Sequence, residues 1–219
     1  MENLLLKKSD LVTYSVKGAS LQLLKEKAIL WDRMLLISDI HLGKISHFRK
    51  NGLALPPIAS EDNYQRLSAL LNRYHPERVV FLGDLFHSSY NQDWDRFSEF
   101  LSSFNDISFE LVLGNHDILD KQVFVKALDR VYTESLVEPP FLLTHHPTTD
   151  KQYYNLCGHI HPSFIVRGKG RQSLRLPCFH FSKYCGILPA FGTFTGTFNI
   201  TPETGDQIFL VANDELVKI

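Results

Sequence analysis

The sequence lacks a strong charge of either sign: 23 Lys and Arg face 24 Asp and Glu over 219 residues, for a net charge of -1. A chain that wraps duplex nucleic acid usually carries a basic surplus. Any nucleic acid contact is therefore expected to be local or assisted by a partner. Long apolar runs are also missing. None approaches the ~18 residues needed to cross a bilayer, so no membrane partner is expected. The first eight residues place their lysines after a short apolar stretch and lead into no small-residue cleavage pattern, which argues against a signal peptide. Cysteine is scarce. Cys157, Cys178 and Cys185 are odd in number and unrelated in spacing, which excludes a disulfide framework or zinc knuckle and points to a reducing, cytoplasmic setting. Repeats, low-complexity stretches and long linkers are absent too. The 219 residues are expected to form one domain, with a motif-bearing part over 30–165 and a strand-rich tail over 170–219.

What is present is ordinary globular material, 44% hydrophobic and 21% charged, with one unusual feature. Six of ten histidines (His41, His116, His145, His146, His159 and His161) follow apolar runs of strand length. Met34 to Ile37 leads into Ser38-Asp39-Ile40-His41, and Val79 to Leu82 into Gly83-Asp84. Phe109 to Leu113 leads into Gly114-Asn115-His116-Asp117, Phe141 to Leu143 into Thr144-His145-His146, and Tyr153 to Cys157 into Gly158-His159-Ile160-His161. Continuous rather than alternating apolar runs suit strands covered on both faces. Short strands are expected earlier, over Leu11 to Val16, Leu21 to Leu24 and Ala28 to Trp31.

Helical spacing appears between these runs. Ser60 is a candidate cap for a helix with Leu67, Leu70, Leu71 and Tyr74 on one face. Trp94, Phe97, Leu101 and Phe104 form a second stripe, which reads as core packing, and Val123 to Leu128 follows a possible cap at Asp120. Strands return over Leu174 to Leu176, Gly192 to Ile200, Gln207 to Val211 and Leu216 to Ile219. The expected fold class is α/β: a sandwich of two sheets with outer helices.

In open α/β sheets, ligands gather beyond the carboxyl ends of strands. Five runs here each end in Asp, Asn or His. Asp39 and His41 are two apart, as are His159 and His161, so on an extended chain each pair faces one way. Oxygen and imidazole donors without thiolate favour manganese, iron, zinc or magnesium. Seven donors exceed one tetrahedral site but fit two ions sharing a carboxylate.

The ordered set Asp-x-His, Gly-Asp, Gly-Asn-His-Asp, His and Gly-His-x-His over residues 39–161 resembles the calcineurin-like metallophosphoesterases. That resemblance implies a sandwich of two mixed sheets flanked by helices, with a dimetal site at strand C-terminal ends. It implies Asp39, His41, Asp84 and His161 on one ion and Asp84, Asn115, His145 and His159 on the other, Asp84 bridging. His116 matches the family's catalytic histidine, with Asp117 a candidate to orient it, and the implied nucleophile is a bridging hydroxide.

A longer resemblance takes in Gly43-Lys44, His47-Phe48-Arg49, Gly83-Asp84-Leu85-Phe86-His87-Ser88, Gly158-His159-Ile160-His161-Pro162 and Leu188-Pro189-Ala190-Phe191-Gly192-x-Phe194-Thr195-Gly196. These are similar to the bacterial ligase-associated DNA-damage-response metallophosphoesterases, described as endonucleases. The similarity implies DNA as substrate and a DNA ligase and helicase as partners in repair; of the metals the donors favour, manganese is expected first, with iron, zinc or magnesium as alternatives.

Each assignment has a plainer alternative. His145 and His146 compete for one ligand position; His145 stands directly after the strand, leaving His146 to face substrate or solvent. Lys44, His47 and Arg49 are candidates to meet substrate phosphates, or they sit on a solvated loop. His87 is a candidate substrate contact or a support behind a ligand. Phe179, Phe181, Phe191, Phe194 and Phe198 are read as sheet packing before base stacking. Two other functions compete: cleavage of a small nucleotide or other small phosphoester, and a non-catalytic metal-bearing scaffold. Retention of His116 and every ligand position argues against the scaffold. Leu85 to Ser88, where related phosphoprotein phosphatases carry Asp-Arg-Gly, argues against phosphoprotein substrates.

Overall fold

The computed structural model describes residues 9–44, 58–168, 170, 172–212 and 215–219. An antiparallel run opens the first sheet: β1 (Leu11–Val16), β2 (Ala19–Leu24), β3 (Ala28–Trp31) and β4 (Met34–Ile37). Then helices alternate with strands: α1 (Ile58–Tyr74), β5 (Arg78–Leu82), α2 (Gln92–Ser102), β6 (Ser108–Val112), α3 (Lys121–Ala127) and β7 (Arg130–Tyr132). Strands β4 to β7 lie parallel, and all seven strands are in sequence order.

The second sheet takes β8 (Ser135–Glu138), β9 (Phe141–Thr144), β10 (Tyr154–Cys157), β11 (Pro162–Arg167), β12 (Ser173–Phe181), β13 (Cys185–Ile187), β14 (Phe198–Asn199), β15 (Gln207–Ala212) and β16 (Glu215–Lys218). Its order is β14-β11-β12-β13-β10-β9-β8, with β15 on β12 and β16 on β15. Both sheets are mixed, since β9, β10 and β13 are parallel neighbours in the second.

The period-2 geometry of strands explains the continuous apolar runs. Leu35, Ile37, Val79, Phe81 and Leu111 face the helices, packing against Leu67, Leu71, Trp94, Phe97 and Phe124. Their neighbours Met34, Leu36, Val80, Leu82 and Val112 face the other way, against Leu143, Leu156, Phe179, Phe181 and Phe209 of the second sheet. Each such side chain, fully buried, contributes about 1.5–3 kcal/mol. All three described helices therefore cover one face of the first sheet, rather than flanking the sandwich on both sides. Among the described residues, a small cluster around Cys178, Ile200, Ile208, Leu210 and Val217 lies apart from these two cores. Away from the ligand-bearing strand ends, Arg78 joins the sheets. Its guanidinium meets the buried Glu110 at 2.7 Å and Glu138 of β8 at 2.6 Å.

Some expectations shift. Helix α1 begins at Ile58, so Ser60 lies inside it and is not its cap. Asp120 does cap α3, accepting from the Gln122 N–H at 2.8 Å. Asn91 caps α2, which ends before Phe104. The strand expected over Gly192 to Ile200 shrinks to Phe198–Asn199. The rest of that stretch is a loop wrapped onto the ligand-bearing segments.

Candidate metal centre

The seven expected ligands converge where the C-terminal ends of parallel strands from both sheets meet. Asp39 and His41 follow β4, Asp84 follows β5, Asn115 follows β6, His145 follows β9, and His159 and His161 follow β10. The register aligns these ends, with Ile37 opposite Phe81, Leu82 opposite Val112 and Leu143 opposite Leu156.

The backbone does not reach the site by extended alternation. Asp39, His41, Asp84, His159 and His161 all have positive φ, between 52° and 68°. The left-handed region costs a non-glycine residue about 1–3 kcal/mol and persists only where surroundings over-determine it. Here they do. Asp39 N–H donates to the Gly83 carbonyl at 3.1 Å, His41 N–H to Asp84 at 2.9 Å, and His87 N–H to Leu42 at 2.8 Å. Asp39 and His41 do reach one group, though tight turns and not a strand aim them, whereas His159 and His161, expected to face one way, reach different groups. Two glycines make room for the carboxylates. A Cβ on Gly114 would stand 2.3 Å from Asp84 Oδ1, and one on Gly158 would stand 2.4 Å from Asp39 Oδ2.

The donors sort into two groups. Asp39, His41, Asp84 and His161 place one ligand atom each within 4.8 Å of one another, and so do His145, His146 and His159. In the first group His161 Nε2 lies 3.1 Å from Asp39 Oδ1, and His41 Nε2 lies 3.6 Å from Asp84 Oδ2. In the second, His145 Nε2 lies 3.4 Å from Asp84 Oδ1, 3.0 Å from Asn115 Oδ1 and 3.2 Å from His159 Nδ1. The two oxygens of Asp84 thus face different groups.

Hydrogen bonds on the far side of two rings set which nitrogen faces inward. His145 Nδ1 lies 2.9 Å from the Leu82 carbonyl and His161 Nδ1 lies 3.0 Å from the Gly196 carbonyl. A carbonyl only accepts, so both Nδ1 atoms carry the proton and the neutral rings turn bare Nε2 lone pairs inward. Asp39 Oδ1 is buried with no hydrogen-bond donor when His161 is neutral. Lone pair then faces lone pair, which requires a cation between them: a proton in the metal-free protein, displaced by a divalent ion. Burial works against charge on His161, but the Asp39 carboxylate outweighs it and raises that imidazole. His41 is the reverse case. Burial, then the nearby Lys44 and imidazoles, pushes it down to about 2, so it stays neutral and able to ligate. The residues present fit two divalent cations.

Around this core the remaining expected residues take different places. His116 stands at the rim with its backbone N–H on Asp84 Oδ1 at 2.8 Å and its ring 5.6 Å from that of His41. Asp117, expected to orient His116, is spent otherwise. Its two oxygens accept from the Phe86 and Gly114 N–H groups at 2.9 and 2.8 Å, cross-linking the Gly-Asp and Gly-Asn-His-Asp loops. Burial pushes its carboxyl up to about 6 despite those two bonds. His87 takes the supporting position: its Nδ1 lies 3.1 Å from His41 Nδ1 and its ring packs on His116 at 4.0 Å. His146 is exposed, with its ring 4.1 Å from that of His159. Lys44 lies beside His41 in a small recess that Phe194 closes. His47 and Arg49 lie outside the described residues.

Two contributors escaped the sequence reading. Asn155 is fully buried inside an apolar run and pins the His145 loop, donating to Leu142 and Thr144 and accepting from the Thr148 N–H. Its polar identity in a core strand was the available signal. The loop from Gly192 into β14 is the other: Gly192 N–H donates to the Asp39 carbonyl and Phe198 N–H to that of His161. Of the five tail phenylalanines, Phe179, Phe181 and Phe191 are buried, while Phe194 on this loop and Phe198 at the start of β14 are 41% and 64% exposed.

A fold of two mixed sheets with paired carboxylate–imidazole groups at their C-terminal ends defines a dinuclear phosphoesterase. The family model for calcineurin-like phosphoesterases matches residues 33–180, and the chain belongs to that family. Among solved structures, the nuclease MPE of Pseudomonas putida is 31% identical. The match covers 95% of this chain and all of that one, with a TM-score of 0.81. That neighbour agrees with the ligase-associated resemblance read from the sequence, and the chain is a phosphoester hydrolase. A protein of unknown function from Aquifex aeolicus, AQ665, is 21% identical over 63% of this chain and 82% of that one (TM-score 0.44). The E. coli phosphoesterase Yfce is 17% identical over 84% and 90% (TM-score 0.38). No curated protein sequence matches the chain.

Proposed function

We propose that this protein is a nuclease that hydrolyses phosphodiester bonds in DNA with two divalent ions, manganese first among them. The observation that carries the reading is Asp84, whose two oxygens face separate ligand groups, so that it would contribute to holding an ion in each. Asp39, His41 and His161 complete the first set and Asn115, His145 and His159 the second, with His146 beside it. Bound there, the ions supply Lewis acidity toward the phosphate and ionise a water at neutral pH.

The chain's own groups do the rest. His116, at the rim and packed on His87, protonates the leaving oxygen. Lys44 attracts the substrate phosphate from the side of the first group. Asp117 keeps the two motif loops in register. The likeness to a nuclease supports a nucleic acid substrate, the ligase-associated sequence resemblance supports DNA, and in that setting a ligase and a helicase are the proposed partners in repair. The three free cysteines fit a reducing cytoplasm, and the core shared by both sheets fits one domain over the whole chain.

The net charge of -1 favours a second reading, a small nucleotide or other small phosphoester. Manganese-reconstituted protein assayed on single-stranded, nicked and duplex DNA beside bis-p-nitrophenyl phosphate separates the two. Cleavage of DNA that disappears in Asp84→Ala supports the nuclease; cleavage of the small ester with every DNA form intact selects the second reading.

A further inference from the structure

A cleft of about 510 Å³ opens beside the second ligand group, and its lining differs in kind from the rest of the centre. Asn115, His145 and His146 form its inner end. The turn joining β7 to β8, with Thr133, Glu134 and Ser135, forms its outer wall. Among the described residues none that lines it is a lysine or arginine, and the one carboxylate is the exposed Glu134. The wall is preformed. Leu113 N–H donates to the Tyr132 carbonyl at 2.9 Å, and the buried Asn155 accepts from the N–H of Thr148, another lining residue, at 2.9 Å.

A nucleic acid strand presents two kinds of part. Phosphates seek cations; sugars and bases seek space and neutral or anionic hydrogen-bonding groups. A carboxylate repels phosphate and accepts from the N–H edge of a base, as Asp and Glu do with the cytosine amino group. The volume lies within the ~300–1,000 Å³ of small-ligand sites. Lys44, by contrast, stands with the first ligand group, near Asp84. Charge is therefore divided along the centre, cationic at one end and hydroxyl- and carboxylate-lined at the other.

We propose that this cleft is the subsite for the nucleoside on one side of the scissile phosphate, with Glu134 accepting from the base edge and turning further phosphates away. The proposal rests on the phosphodiesterase reading above. Glu134 is on an exposed turn, so its replacement leaves the core intact. With manganese-loaded protein, Glu134→Ala should raise KM for oligodeoxycytidylate about tenfold while leaving its kcat, and all cleavage of bis-p-nitrophenyl phosphate, unchanged. In metal-free protein, saturation-transfer NMR with cytidine should show contacts to the base protons that vanish in Glu134→Ala. Equal KM in variant and wild type, or cytidine contacts indifferent to the substitution, overturns the subsite. Wild-type protein that cleaves neither substrate overturns the phosphodiesterase reading instead; the cytidine measurement then decides the subsite by itself.

Discussion

The two ligand groups share Asp84 yet differ in how they meet water. In the first, the side chains of Asp39, His41 and Asp84 are 0–3% exposed and His161 17%. In the second, only His145 is comparably buried; Asn115 and His146 are exposed and the group opens onto the cleft. Closed coordination suits a tightly held ion, while an open position suits the ion that meets substrate. The contrast sets an expectation of divided labour: the first group would hold its ion more tightly, and the second would leave its ion open to substrate.

The largest expected effect erases the comparison. Asp84→Ala removes the oxygen donor common to both groups, so elemental analysis should find both ions lost and turnover abolished. Two bound ions and normal turnover in that variant would refute the bridge. Next comes the chemistry at the rim. His116→Gln should retain both ions while slowing turnover roughly 10²–10⁴-fold; an unchanged rate takes the proton from some other donor.

The asymmetry itself is sharpened by a matched pair. During dialysis against chelator, wild type should surrender its second-group ion first. His159→Ala should keep one ion per chain, whereas His161→Ala, which breaks the closed group, should keep fewer. Equal retention in the two variants would make the groups equivalent. The smallest effect concerns the scaffold beneath both. Asp117→Asn leaves one acceptor for two N–H groups and should cost about 1–3 kcal/mol of stability. If His116 keeps its role without Asp117, the residual rate per folded molecule stays near wild type. A collapse in that rate, with stability intact, would restore Asp117 as the orienting group.

Much of this centre was legible because its chemistry is carried by residue type. Asp39, Asp84, Asn115 and the histidines stand at the ends of buried runs, where polar groups are out of place unless used. Strands β3 and β4 have the ends expected of them for the same reason: covered on both faces, they read as unbroken apolar runs. Reading was weaker where side-chain pattern is silent. Strands β7 and β13 have three residues each, too short for any period to show. The segment from Gly192 up to β14 looks like a strand by composition, yet it docks onto Asp39 as a loop. Asp117 shows the limit of adjacency, since the residue beside His116 points its carboxylate at Phe86 and Gly114.

By itself the sequence determined which donors exist and in what order, because ligand hardness and strand-end placement are local properties of residues. Only the tertiary structure decided which donors stand together, which ring nitrogens face inward, and where a cleft opens beside them. Those depend on left-handed turns at non-glycine residues and on carbonyls from Leu82 and Gly196. The contacts that hold them come from segments far away along the chain, as between Asp39 and the backbone of His159, 120 positions on, and between the Asp39 carbonyl and the still more distant Gly192.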